Sequence, residues 1–126
     1  MLYVYLAIGG VAGTLARHGV ATWAQPWVGA TFPWATFLVN LSGSFLLGLI
    51  VTMADLTQLS TETRTMLTVG FCGAFTTFST FTYETVVLVQ QGQWLRAILY
   101  AVGSLALGIA ALALGLYVAS LFTSTG

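Results

Sequence analysis

The chain has 126 residues, 58% hydrophobic and 5% charged, with a formal net charge of zero. Its mean hydropathy is +0.95; soluble domains carry about 25% charged residues, so this composition excludes a soluble domain and marks an integral membrane protein. Zero net charge argues against a nucleic-acid partner or a polybasic membrane-surface role, and one cysteine, Cys72, excludes an intrachain disulfide or a multi-cysteine metal site.

A first span is predicted over residues 2–23. The apolar run has no basic leader region and continues too far for a cleaved signal peptide, so it is expected to be retained. Gly9 and Gly13 form a GxxxG pair that lets another helix approach closely. Arg17 and His18 lie towards the far end. Arg17 has two readings, a side chain reaching up to the interface or a charge in a water-filled vestibule. His18 reads as interfacial rather than as a metal ligand, since no second ligand is near in sequence.

Residues 25–33 form a loop broken by Pro26, Gly29 and Pro33, and Trp23, Trp27 and Trp34 resemble an interfacial aromatic belt. A second span is predicted over 34–54. Thr36, Asn40 and Ser44 recur every four residues and share a helix face. Asn40 is either interhelical hydrogen-bond glue or a donor lining a path. Asp55, Glu62 and Arg64 read as solvated charges in the second loop, and Thr61 as a weak helix cap.

The third span, 66–89, organises the chain. Around its centre it holds Gly70 and Gly73 and five hydroxyl residues, Thr76, Thr77, Ser79, Thr80 and Thr82. Glycine weakens a helix, and Ser and Thr offer the backbone other partners, so a helix broken near the membrane midplane is predicted. Such a break is tolerated only where protein or a water-filled path satisfies the freed backbone groups, and it marks ion and substrate sites. Glu84, the carboxylate of this span, either reaches water at the span end or continues a polar strip with Thr77 and Thr80. A fourth span, 94–121, carries Tyr100, Ser104 and the packing glycines Gly103, Gly108 and Gly115, and the polar tail after it is expected to fray. The chain is thus expected to be one four-span domain, residues 1–126, and its small size points to an oligomer.

No catalytic triad, CxxC, HExxH or phosphate-binding loop is present, so an enzyme is not expected. Neutral hydroxyls and one amide suit an anion that must enter and leave quickly, because conduction needs weak serial sites. Phe75, Phe78 and Phe81 recur every three residues. Apolar core is the ordinary explanation of such a stripe, but these rings alternate with hydroxyls, and the edge of a phenyl ring is electropositive.

At Gly73-Ala74-Phe75-Thr76-Thr77-Phe78-Ser79-Thr80-Phe81, followed by Glu84, the sequence resembles the Fluc, or CrcB, fluoride channel family. The resemblance extends over the whole chain through Arg17, Asn40, Tyr100 and Ser104. It implies a fluoride-selective channel exporting fluoride passively across the cytoplasmic (inner) membrane of a prokaryote. The implied assembly is a dual-topology, antiparallel homodimer with two pores. It further implies that Phe78 and Phe81 are the pore phenylalanines, that Asn40 hydrogen-bonds near the ion path, and that Thr36, Ser79, Thr80, Thr82 and Glu84 form or flank a polar track. Tyr100 and Ser104 would line the pore or its vestibule, with Arg17 in the vestibule. Carbonyls of Gly73 and Thr76 from both subunits would bind a central structural Na⁺. Ala74 departs from a glycine common in the family, and its methyl is expected to tighten that cation site.

Two other classes fit the same composition. A proton-coupled transporter of the small multidrug-resistance class needs a membrane carboxylate, typically in span one, and this span has none. A structural subunit held by its small-residue faces would carry no ion flux.

Overall fold

The computed structural model describes residues 1–26 and 32–122, all of whose regular structure is helical. Trp27 and Gly29 of the first loop and the tail residues 123–126 lie outside the described residues. Helix α1 spans Leu2–Ala24 and α2 spans Trp34–Thr57. Helix α3, Thr61–Thr65, runs into a π-helical stretch, Met66–Cys72, and then a short helix α4, Gly73–Phe75. After a break come α5, Phe78–Gln90, and α6, Trp94–Ser120. Two of these, Trp34–Thr57 and Trp94–Ser120, are long and apolar enough to cross a membrane.

Close backbone approach at glycine assembles the bundle. Helix α2 packs along α6, and α1 packs along the π-helical stretch. A Cβ on Gly48 would strike the Leu112 carbonyl oxygen, and one on Gly115 the Phe45 carbonyl oxygen, so these two glycines mark the α2–α6 crossing from both sides. The predicted Gly9/Gly13 pair does the same for α1. Side chains there would run into the carbonyls of Met66 and Phe71. Small residues let helices approach to van der Waals contact, the main attraction between helices in lipid. By contrast, Gly108 is loosely placed, its nearest neighbour being Ser44 Oγ at 4.0 Å from a built Cβ, and Gly103 meets nothing.

The third segment carries the predicted break, and departs from the sequence expectation in where it begins and in what its glycines do. It begins at Thr61 rather than 66, capped by Ser60, whose Oγ accepts the Thr63 N–H at 3.2 Å; Thr61 is already inside the helix. Its glycines do not make the break, because Gly70 and Gly73 lie in wound helix with φ near −63° at Gly73. The chain opens at Thr76 and Thr77, both extended (ψ 159° and 119°), within the predicted cluster of hydroxyl residues. Gly70 serves packing, being buried against Leu6 and Gly9 of α1. Cys72 is buried as a small packing residue, and the solvent-side charges Arg64 and Asp55 form an exposed ion pair. Between α5 and α6 the chain reverses at Gly92, whose φ of 75° suits a residue without Cβ.

Candidate functional site

The break leaves main-chain groups without helical partners, and α2 supplies them. In a continuing helix the Thr77 N–H would return to the Gly73 carbonyl. It donates instead to Asn40 Oδ1 at 2.8 Å, while Asn40 Nδ2 donates to the Thr77 carbonyl at 3.1 Å. One carboxamide thus satisfies both main-chain polar groups of a single residue, 37 positions away in sequence. The interhelical bond is thus present, and it engages one of the two Asn40 amide protons.

Thr77 is the N-cap of α5. Its Oγ1 accepts the Thr80 N–H at 3.3 Å and stands 3.1 Å from Thr80 Oγ1, and the residue is 8% exposed. Capping by Thr at the first turn satisfies an orphan helix donor. The sequence reading placed Thr77 on a polar strip but not among the site residues. The signal for it was present, a threonine three residues ahead of Thr80 at the start of a helical pattern.

Two cavities flank Thr77. One, of about 360 Å³, is lined by Thr14, Arg17, His18, Thr36, Thr77 and Thr80 among others. Arg17 therefore borders a cavity next to the break, together with four threonines. The other, of about 280 Å³, is lined by Asn40, Gly43, Ser44, Gly73, Thr76, Thr77 and Phe78 among others. His18, exposed on α1, also borders a third, larger cavity that reaches Glu84.

Further along α5, Glu84 Oε1 accepts the Tyr100 hydroxyl at 3.0 Å. Tyr100 is fully buried, with the Phe81 ring 5.0 Å away at 60° and Phe32 5.4 Å away at 80°. Phe78 lies 5.9 Å from Phe81, tilted by 47°, but is 77% exposed. The fold brings Asn40 to Thr77, gathers Arg17, Thr36 and Thr80 around one cavity, and joins Phe81, Glu84 and Tyr100. It leaves Phe78, Ser79 and Thr82 facing outward from the single chain, Thr82 Oγ1 donating to the Ser79 carbonyl at 2.9 Å. Ser104 Oγ is buried with no hydrogen-bond partner among the described residues.

The residues at the break fit a cation held by main-chain oxygens. The Gly73 carbonyl is deprived of the Thr77 N–H, and a Cβ on Gly73 meets nothing within 4 Å, so this flank of the chain is open. Carbonyl oxygens are hard donors, which suit Na⁺ better than a soft metal. The Ala74 methyl does not crowd that flank. It lies 3.1 Å from a Cβ built on Gly13, against α1.

The family model described as "CrcB-like protein, Camphor Resistance (CrcB)" matches residues 4–116. The chain belongs to the CrcB-like family. Named relatives of this CrcB-like chain include the "Fluoride-specific ion channel FluC" of Chlorobaculum tepidum, 54% identical over 115 residues, 90% of each chain. Those of Thermus thermophilus (49% over 107 residues, 85% of this chain and 84% of the relative) and Acidobacterium capsulatum (47% over 119 residues, 94% and 95%) carry the same name. Each bears the name of an ion channel, and none that of an enzyme. The CrcB-like chain is an all-helical membrane protein.

Proposed function

We propose that this CrcB-like chain is a fluoride-selective channel that exports fluoride passively across the cytoplasmic (inner) membrane and so relieves fluoride toxicity. The observation that carries the reading is the Arg17–Thr36–Thr77–Thr80 cavity beside a helix break. A cation and neutral hydroxyls at a break furnish anion donors without a carboxylate facing them. Relatives named as fluoride-specific channels over most of the chain support the choice of ion.

Fluoride is small and holds its water strongly, so a path must offer several donors at once. Thr36, Asn40, Ser79 and Thr80 supply neutral donors, Thr82 flanks them with its own proton on the Ser79 carbonyl, and the ring edges of Phe78 and Phe81 supply a weakly positive wall. Glu84, Tyr100 and Ser104 continue the polar track. A carboxylate that accepts from the Tyr100 hydroxyl has part of its charge satisfied and repels a passing anion less. Ser104 Oγ, without a partner among the described residues, retains its donor for the path.

The proposed assembly is an antiparallel homodimer of four-span chains with two pores. The outward-facing Phe78, Ser79 and Thr82 then line a path only once a second copy closes over them. Carbonyls of Gly73 and Thr76 from both copies hold a central Na⁺, which supplies a fixed positive charge that ties the two breaks together and is not transported.

The test is efflux from liposomes loaded with equal fluoride and chloride, read by ion-selective electrodes. Fast fluoride release with chloride retained is expected. Comparable release of both ions, or no release, refutes the assignment.

A further inference from the structure

We infer that Thr77 is a positioning residue that turns the Thr80 hydroxyl into an anion donor; the inference rests on the channel reading above. The threonines of α5 divide into two kinds. Thr82 and Thr85 donate to carbonyls one turn back, those of Ser79 and Phe81, at 2.9 and 2.8 Å. A helical threonine commonly uses its proton in this way. Thr80 has no such bond. One turn back from it the chain is extended, and the Thr77 carbonyl accepts from Asn40.

Thr80 is engaged by the Thr77 hydroxyl instead. That oxygen accepts the Thr80 N–H at 3.3 Å, and its own proton is donated to Thr80 Oγ1 at 3.1 Å. A hydroxyl carries one proton and two lone pairs. With one lone pair of Thr80 Oγ1 taken by Thr77, its own proton is left for the cavity that Thr80 shares with Thr36 and Arg17. Accepting one hydrogen bond also polarises a hydroxyl and strengthens it as a donor. An anion drawn in by Arg17 therefore meets a proton at Thr80 rather than a lone pair. The Asn40 clamp holds Thr77 in the extended geometry that makes this relay possible.

Three variants test it. Thr77→Asn keeps an acceptor for the Thr80 N–H, and so keeps the helix cap, but its carbonyl oxygen draws the Thr80 proton inward. Fluoride efflux from liposomes is expected to fall roughly tenfold or more, the effect of one lost hydrogen bond to a charged group, with the thermal unfolding midpoint in detergent held near that of the wild type. Thr77→Ser keeps both functions of the hydroxyl and is the rescue. Thr80→Val removes the donor itself, and in that background Thr77→Asn should add less than about twofold, because the two residues act as one unit.

Thr77→Asn with wild-type efflux, or losses that multiply across the double variant, overturns the inference and leaves the channel assignment standing. Wild-type protein without fluoride efflux overturns both.

Discussion

Asn40 and Thr77 exchange two hydrogen bonds, 2.8 and 3.1 Å long, across the point where the third helical segment opens. The pairing joins α2 to the start of α5 and accounts for both main-chain polar groups of Thr77. Asn40→Ala leaves that N–H and that carbonyl unpaired, at ~1–3 kcal/mol for each buried group. The expected outcome is a lower unfolding temperature in detergent together with loss of most fluoride efflux. Asn40→Asp keeps the acceptor but loses the donor, so it too should be impaired. An Asn40→Ala protein as stable as the wild type would show that water replaces the clamp.

Phe78 and Phe81 should separate when each is changed to Ile. Phe81 packs on the buried Tyr100 ring at 5.0 Å, so Phe81→Ile loses an edge contact of about 0.5–1.5 kcal/mol as well as its ring in the path. Phe78 is largely exposed in the single chain, so Phe78→Ile is expected to lower efflux with little change in thermal stability. Efflux and unfolding midpoint measured on both variants decide this, and unchanged efflux from both reduces the rings to packing.

Gly13 and Gly73 predict opposite outcomes. A side chain at Gly13 strikes the Phe71 carbonyl, and Gly13→Val is expected to destabilise the fold by about 1–3 kcal/mol or more as an overpacked contact. The methyl of Gly73→Ala meets nothing within 4 Å among the described residues. Any loss of assembly in that variant, read by the mass of the detergent complex, reports a second copy or a cation at the open flank. Retained assembly and indifference to replacing Na⁺ with a large organic cation would remove the proposed sodium site.

Antiparallel assembly predicts that C-terminal tags label from both sides of the membrane in equal amounts. Arg64 and Arg96 fall near opposite membrane faces in a four-span topology, which leaves almost no orienting bias. Adding several lysines to residues 55–60 should force one orientation and abolish efflux, with recovery on co-expression of an oppositely biased copy. Labelling from one side only, in active protein, requires a parallel assembly.

Composition and local pattern by themselves determined that this chain belongs in lipid, where its helices lie to within a few residues, and that the third segment cannot be a continuous helix. These are local properties: hydropathy over about twenty residues, the helix cost of clustered hydroxyls, and glycines spaced for close approach. The motif around Phe78 and Phe81 also pointed to the family to which the chain belongs. Tertiary structure decided where the break falls and what each polar residue touches. Glycines and clustered hydroxyls together marked residues 70–82 as weak; packing on α1 holds Gly70 and Gly73 in wound helix, and the opening falls on the hydroxyl side, at Thr76 and Thr77, where Asn40 takes the main-chain groups of Thr77. The partner of a freed N–H is chosen by which side chain the fold brings within 3 Å, and a residue 37 positions away leaves no local trace of that choice. Thr77 escaped notice as a site residue for the same reason, since its importance lies in its neighbours, Asn40 and Thr80, rather than in its own type.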